Sequence, residues 1–260
     1  HRSMIVPSRN PSPARSALGS DAVGRRVGAI LVLFVIRHPV SDGGQDAARL
    51  GRFAAQVDGL DEARAIAVRP SGEVVTLDAF GAISGDTDAA GFRDLAIDSK
   101  DRWILIGEKS LECRPGGREV LWKVEPGGIG ADAAGSSVWS LDAQGGIRRR
   151  DAATGEILAD RPAAYPGARA IVAIPDGGAW LADTDRHRLV RLDADANETR
   201  SIGDRGAFPG LFNTPVDLAV HGERLFVADK LNHRISVHRL SDAAFLYQWG
   251  MHAVIPREGE

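Results

Sequence analysis

Two stretches of the chain repeat one another at a fixed distance. Ala182-Asp183 returns as Ala228-Asp229, and His187-Arg188 returns as His233-Arg234, each 46 residues further on. Both dipeptides lie inside matched alternations of apolar and polar residues. In the later stretch Leu218 and Val220 flank Ala219, and Leu225-Phe226-Val227 form an apolar run. Ile235 and Val237 alternate with Ser236 and His238, and Phe245 and Tyr247 alternate with Leu246 and Gln248. Alternation with a period of two places every second side chain on one sheet face, so the stretch predicts four short strands joined by turns. The earlier stretch carries Ala170–Ile174, Ala179–Asp183 and Leu189–Leu192 in the same order. A unit of about 40–50 residues with four strands buries its faces by stacking on its neighbours, which is the blade of a β-propeller.

Fainter copies precede these two. Ser140-Leu141-Asp142 with Gly145-Gly146 and Thr154–Leu158 make one unit, Leu95–Ile97 with Trp103–Ile106 and Val120–Trp122 another, and Ala65–Val68 with Val74–Asp78 the earliest. The strand-ending positions Asp78, Gly107, Asp142, Asp183 and Asp229 are 29, 35, 41 and 46 residues apart. The first two intervals are short for a full blade, so trimmed or misaligned units are expected there. Thirty glycines and thirteen prolines spread along the chain suit a fold with many turns.

The unit Phe212-Asn213-x-Pro215, Val227-Ala228-Asp229, Asn232-His233-Arg234 and Ile235-x-Val237 resembles the NHL repeat, with Arg at the third signature position instead of Leu. The match is specific over residues 207–250, fair over 168–206 and faint over 59–166. The resemblance implies an all-β fold of four-stranded antiparallel blades, six to a ring in the family. This chain shows five recognisable units, and Gly250–Glu260 resembles a linker to a further blade. The expected architecture is therefore an incomplete six-bladed ring over residues 45–260, truncated at its C-terminal end. The rival is a shorter ring closed by Leu50–Val57, where Phe53 and Ala55 alternate with Ala54 and Gln56 like a last strand.

Residues 1–44 read as a leader. Ser8–Asp21 is rich in Pro, Ser, Ala and Arg without any period. Arg25-Arg26 then precede the ten-residue apolar run Val27–Ile36, too short for a transmembrane helix of roughly 17–25 residues and of the length of a secretory signal's apolar core. No clean small-x-small cleavage site follows it. Export or membrane tethering through Val27–Ile36, facing outside the cytoplasm, is the expectation, and a buried strand is the alternative.

Charge and cysteine exclude several classes. The net charge is −3, and the only dense basic cluster is Arg148-Arg149-Arg150 after a Gly-Gly turn, which reads as a solvated strand edge and not a nucleic-acid face. A single cysteine, Cys113, forbids an intrachain disulfide and sits in a strand-like run, so it reads as structural. Gly127–Gly130 lacks the strand–helix setting of a phosphate loop, and no Gly-x-Ser-x-Gly elbow occurs. The tryptophans Trp103, Trp122, Trp139, Trp180 and Trp249 fall mostly in strand runs and read as blade packing.

Asp183 and Asp229 are each followed five residues later by an arginine, Arg188 and Arg234. A carboxylate ending one strand can accept turn N–H groups and pair with the arginine opening the next, and a feature repeated in successive blades is structural. A repeat signature without a repeat-breaking catalytic cluster points to a non-catalytic binding scaffold with a protein partner. Thr184, Arg186, Lys230 and Leu231, between matched strands, are the expected binding residues on one loop face. The alternative is an exported metal-dependent hydrolase or lyase, since the family includes a lyase with a histidine-lined metal. That reading would bring Ca²⁺ or Zn²⁺; the scaffold reading brings no cofactor. His187 and His233 recur but need a third ligand, and His221, His238 and His252 occupy unrelated repeat positions.

Overall fold

The computed structural model describes residues 63–250 except for 72, 79–82, 84–90 and 118. The leader with Val27–Ile36, the strand-like Leu50–Val57 and the C-terminal residues from Met251 onward lie outside the described residues. Every β-sheet is antiparallel and meanders from one strand to the next. An N-terminal two-stranded sheet joins β1 (Ala63–Val68) to β2 (Val74–Asp78). Four complete four-stranded blades follow. The first holds β3 (Phe92–Ile97), β4 (Arg102–Gly107), β5 (Leu111–Pro115) and β6 (Trp122–Val124). In the second are β7 (Gly130–Ala134), β8 (Ser137–Leu141), β9 (Ile147–Asp151) and β10 (Ile157–Arg161). The third holds β11 (Ala170–Ala173), β12 (Ala179–Asp183), β13 (Arg188–Leu192) and β14 (Glu198–Ile202). The fourth holds β15 (Pro215–His221), β16 (Arg224–Asp229), β17 (Arg234–Arg239) and β18 (Phe245–Trp249).

Among the described residues the fold is thus an all-β propeller arrangement with four complete blades, where five units in an incomplete ring of six were expected. The earliest expected unit is present among the described residues only as β1 and β2. The short 35-residue interval is nevertheless a full blade. Its outermost strand β6 has three residues, and the linker from β6 to β7 is residues 125–129, against residues 203–214 between the third and fourth blades. Blade spacing in this chain is set by linker length, so a short interval does not signal a missing strand.

The first strands of the sheets, β1, β3, β7, β11 and β15, lie beside one another in chain order and line the axis. The core is a series of layers between neighbouring sheets. Leu77, Leu95, Trp103 and Leu105 fill the layer between the N-terminal sheet and the first blade, and Ile104, Cys113, Trp122, Ala131 and Val138 fill the next. Trp139, Leu141, Ile171, Leu181 and Val190 join the second blade to the third, and Trp180, Leu189, Phe212, Leu225 and Val227 join the third to the fourth. Tryptophan indoles add directed bonds across these layers. Trp122 Nε1 donates to Ala152 O at 3.1 Å, Trp139 Nε1 to Gly177 O at 3.3 Å, and Trp180 Nε1 to Leu240 O at 3.1 Å, each time to a turn of the following blade. A buried indole N–H needs such a partner, and these bonds fix the rotation of one blade against the next.

Cys113 is buried in β5 with its Sγ 3.9 Å from Ala152 O, and burial pushes its thiol up to about 11, as fits a structural residue. The arginine run corrects the strand-edge reading. It forms β9, an interior strand between β8 and β10. Arg148 pairs with Asp142 and Asp160, Arg149 donates to Ser137 Oγ and Ala194 O, and Arg150 is buried and donates to Gly155 O. No helix among the described residues is long and apolar enough to cross a membrane.

Candidate functional site

Because strands alternate in direction, the loop joining the second and third strands of a blade emerges at the same end as the linker entering that blade. That end carries the recurring Asp-x₃-His-Arg segment. After β12 the chain makes a single 3-10 turn, Thr184–Arg186, closed by His187 in the left-handed region at φ 54°. After β16 the turn Lys230–Asn232 is closed by His233 at φ 51°. A left-handed non-glycine residue is uncommon, with His among the types that tolerate it better, and here it reverses the chain into the next strand. His187 Nδ1 in turn accepts the N–H of Thr214 at 3.0 Å, tying the turn to the next linker.

The Asp–Arg pairs are the struts of these turns. Arg188 Nε donates to Asp183 Oδ2 at 2.8 Å, and Arg234 Nε donates to Asp229 Oδ2 at 2.8 Å. The fourth-blade strut is the more elaborate. Asp229 also accepts from Asn213 N at 2.6 Å and from Asn232 Nδ2 at 2.7 Å. The Arg234 guanidinium spreads over the linker, donating to Ala207 O at 2.6 Å, Leu211 O at 2.6 Å and Phe208 O at 3.4 Å, and to Gln248 Oε1 at 2.7 Å. Asn232 Nδ2 reaches Gly206 O at 2.8 Å. The linker is therefore pinned along its backbone, yet it holds Phe208 out at 78% exposure. The backbone around it is therefore already ordered, and only the Phe208 side chain keeps rotamer freedom.

The four expected binding residues separate. Leu231 is 52% exposed and hangs from the turn whose backbone N–H bonds Asn213 O, so it stands on the same loop cluster as Phe208. Lys230 is exposed beside it, and Arg186 is exposed on the neighbouring turn with one guanidinium nitrogen 3.3 Å from Asp183. Thr184 is buried and gives nothing to that face. Its Oγ1 donates to Pro215 O at 2.6 Å, a bond from the third blade to the first strand of the fourth. Thr184→Val, which keeps the shape and leaves that carbonyl unpaired, is expected to cost about 1–2 kcal/mol in urea unfolding without changing any binding. Phe208 was not singled out in the sequence because Ala207-Phe208-Pro209-Gly210 has no strand period; a large apolar residue in a turn was its only signal.

The axis carries a second set. Asp94, Asp132 and Asp217 are the third residues of β3, β7 and β15, each half-buried; Asp94 and Asp217 lie opposite the next-to-last residues of β4 and β16, Ile106 and Ala228, whereas Asp132 lies opposite Trp139 in the middle of β8. Asp132 Oδ2 accepts the N–H of Ala173 on β11 at 2.9 Å, and Asp94 Oδ2 accepts that of Ala131 on β7 at 3.4 Å. Desolvation raises all three carboxyls, Asp132 and Asp217 to about 7, with the charge of a neighbouring aspartate adding to the rise in those two.

One Ser–His contact is present. Ser236 Oγ lies 2.7 Å from His238 Nε2, and His238 Nδ1 lies 2.8 Å from Ala243 O. A carbonyl only accepts, so Nδ1 carries the proton and Nε2 accepts from the serine. Both residues are fully buried between Phe212 and Phe245, and burial lowers the His238 pKa. The donor direction is that of a nucleophile–base pair, but both residues are sealed from solvent and such a pair must meet substrate, so this one is a core strut. Among the described residues no three His, Cys, Asp or Glu side chains gather closely enough to hold a metal ion. A cleft of about 420 Å³ opens at the opposite end of the third and fourth blades, lined by Asp176, Arg191, Asp193, Thr199, Arg200 and Ser241. Its acids are occupied by Arg191, Gly178 N and Asn197, so it is lined by groups already satisfied within the protein.

No family model and no curated protein matches the chain. Among solved structures it is similar to U3-55K, at 9% identity and a TM-score of 0.60 over 75% of this chain and 66% of that one. It is also similar to the computationally designed Ika8 protein, at 16% identity and a TM-score of 0.53 over 73% and 62%. The chain spans less than two thirds of the length of either. At such identities the likeness concerns the fold alone.

Proposed function

We propose that this chain is a non-catalytic binding scaffold of the NHL-repeat type whose partner is a protein. The observation that carries the reading is Phe208, an exposed aromatic on a linker pinned by Arg234 and Asn232. Leu231 supplies a second apolar group on the same cluster, and Lys230 and Arg186 supply a basic fringe. Interfaces of this kind draw most of their energy from a few rigid aromatic and aliphatic anchors.

A photoreactive residue placed at position 208 would capture the partner, which is then purified and titrated. Phe208→Ala with Leu231→Ala is expected to weaken that partner by tenfold or more while leaving the unfolding free energy within about 0.5 kcal/mol of wild type. Arg186→Ala with Lys230→Ala is expected to slow association and flatten its salt dependence. If the partner binds both double variants with wild-type affinity, the loop face is not its site and the scaffold reading loses its support.

A further inference from the structure

We infer that the groove between β6 and β10, the outer strands of the first and second blades, is a second interaction surface, and that it takes an extended peptide segment carrying a carboxylate flanked by apolar side chains. The groove lies on the outer rim, toward the end opposite the loop face, and shares no residue with that face.

Direct contacts draw its two sides together. Trp122 Nε1 donates to Ala152 O at 3.1 Å, and Cys113 Sγ lies 3.9 Å from the same oxygen. Gly155 sits so close to the indole that a Cβ there would come within 2.8 Å of Trp122 Cδ2. The turn between β9 and β10 is therefore pressed onto Trp122. Val120 and Leu121 stand immediately before that tryptophan at 47% and 51% exposure, and Ile157 and Leu158 follow the turn at 51% and 47%. Ile157 pairs with Arg150, and the register then slips by one residue before Ala159 meets Arg149. Such a bulge sets two consecutive residues opposite one, so Ile157 and Leu158 both lie against Arg150. Half of the eight large apolar residues exposed among the described residues thus border one contact, which is a patch and not a scatter.

Beneath the patch is a cation without a counter-ion. Arg150 is 6% exposed, forms no ion pair among the described residues, and donates only through Nη1, to Gly155 O at 3.0 Å. Its Nε is enclosed with no partner, and its Nη2 makes no bond. The other arginines of the strand are served, Arg148 by Asp142 and Asp160, and Arg149 by Ser137 and Ala194. Burial lowers the Arg150 pKa and the charge of Arg148 lowers it further; Asp160 acts the other way but is itself held by Arg148 at 3.3 Å. Glu119 and Glu156 border the groove in the chain, yet both are exposed and neither bonds Arg150, and the Arg118 side chain lies outside the described residues. A buried charge left unpaired is costly, and an entering carboxylate completes it with charge-assisted hydrogen bonds. Strand β10 is also the outermost of its sheet, so its outward backbone groups are open to an extended chain. The matching strand of the third blade differs: β14 opens on Glu198-Thr199-Arg200-Ser201, all exposed and polar.

A phage-displayed library of short random peptides, selected on the full chain and followed by titration of the selected sequences as synthetic peptides, tests the groove. The selected peptides are expected to carry Asp or Glu flanked by Leu, Ile, Val or Phe, and to bind about tenfold or more weakly when that carboxylate is made an amide. Arg150→Met is expected to bind acid and amide peptides alike, within about twofold, and Ile157→Ser with Leu158→Ser to weaken both. Thermal unfolding of Arg150→Met is expected within about 2 °C of wild type, since the bond lost to Gly155 O is offset by removal of a buried unpaired charge. A larger fall would make Arg150 a strut of the blade and overturn the proposal. So would selection of no acidic peptide, or equal binding of acid and amide by the wild-type chain. Peptides that keep their preference for the acid in Arg150→Met and lose binding in Phe208→Ala with Leu231→Ala would belong to the loop face, and the groove would again be refuted.

Discussion

Asp229→Ala is expected to destabilise the protein by about 3–5 kcal/mol, more than any other single change to the loop face. The carboxylate is fully buried and holds three partners, Arg234 Nε, Asn232 Nδ2 and Asn213 N. Removing it strands a guanidinium whose side chain is only 4% exposed, and an uncompensated buried charge is the costly outcome. The matched aspartate gives an internal control. Asp183 is as deeply buried, but its partner Arg188 is 22% exposed and has Glu198 and Ser201 within reach. Asp183→Ala is therefore expected to cost about 1–2 kcal/mol, since solvent and Glu198 take up the freed charge. Adding Arg234→Met to Asp229→Ala is expected to recover part of the loss, a coupling that urea unfolding of the four chains measures directly. Equal costs at the two aspartates would mean that burial of the arginine does not decide the strut's strength.

Most of the architecture was legible in the chain because its period is written twice in the same residues. The alternations around Leu218–Val220 and Ile235–Val237 are strands β15 and β17, and Asp183 and Asp229 do end strands and do pair with the arginines five residues on. The unit count was less legible. Strand β6 is three residues long, and the linker after it is far shorter than the one that carries Phe208, so interval length misled where strand pattern did not. The family resemblance rests on the signature residues alone, with no family model matching beside them. The loop face was legible in place but not in membership. A residue between strands reads as exposed by default, yet the hydroxyl of Thr184 is turned inward to Pro215 O while Phe208 is held outward. That difference is made by tertiary bonds from Arg234 and Asn232, which no local pattern encodes. The axial aspartates did leave a signal: Asp94-Leu95-Ala96-Ile97 and Asp217-Leu218-Ala219-Val220 match residue for residue in character. A charged residue heading an apolar stretch of an inner strand is conspicuous in the sequence, since burying it is costly.

Trp180→Ala should be the most damaging core change, at about 3–5 kcal/mol for a fully buried indole, and its effect is expected to be local. Trp180 belongs to the layer between the third and fourth blades, with Leu189, Phe212, Leu225 and Val227 around it, and Arg191 lies over its ring at 5.8 Å. The substitution opens a cavity in that layer and leaves Leu240 O without its indole donor. Trp139→Ala makes the same cut one layer earlier, between the second and third blades. In an array whose sheets touch only their neighbours, stability is close to a sum of sheet and interface terms. Weakening one interface then lowers the free energy at which the sheet beyond it opens, without loosening the sheets before it. Hydrogen exchange read by mass spectrometry is expected to show Pro215–Trp249 losing protection in Trp180→Ala while Phe92–Val124 keeps it. Trp139→Ala is expected to extend that loss to Ala170–Ile202. A uniform loss over all four blades in both variants would show the array to be one cooperative unit, and the layered account of its stability would fail.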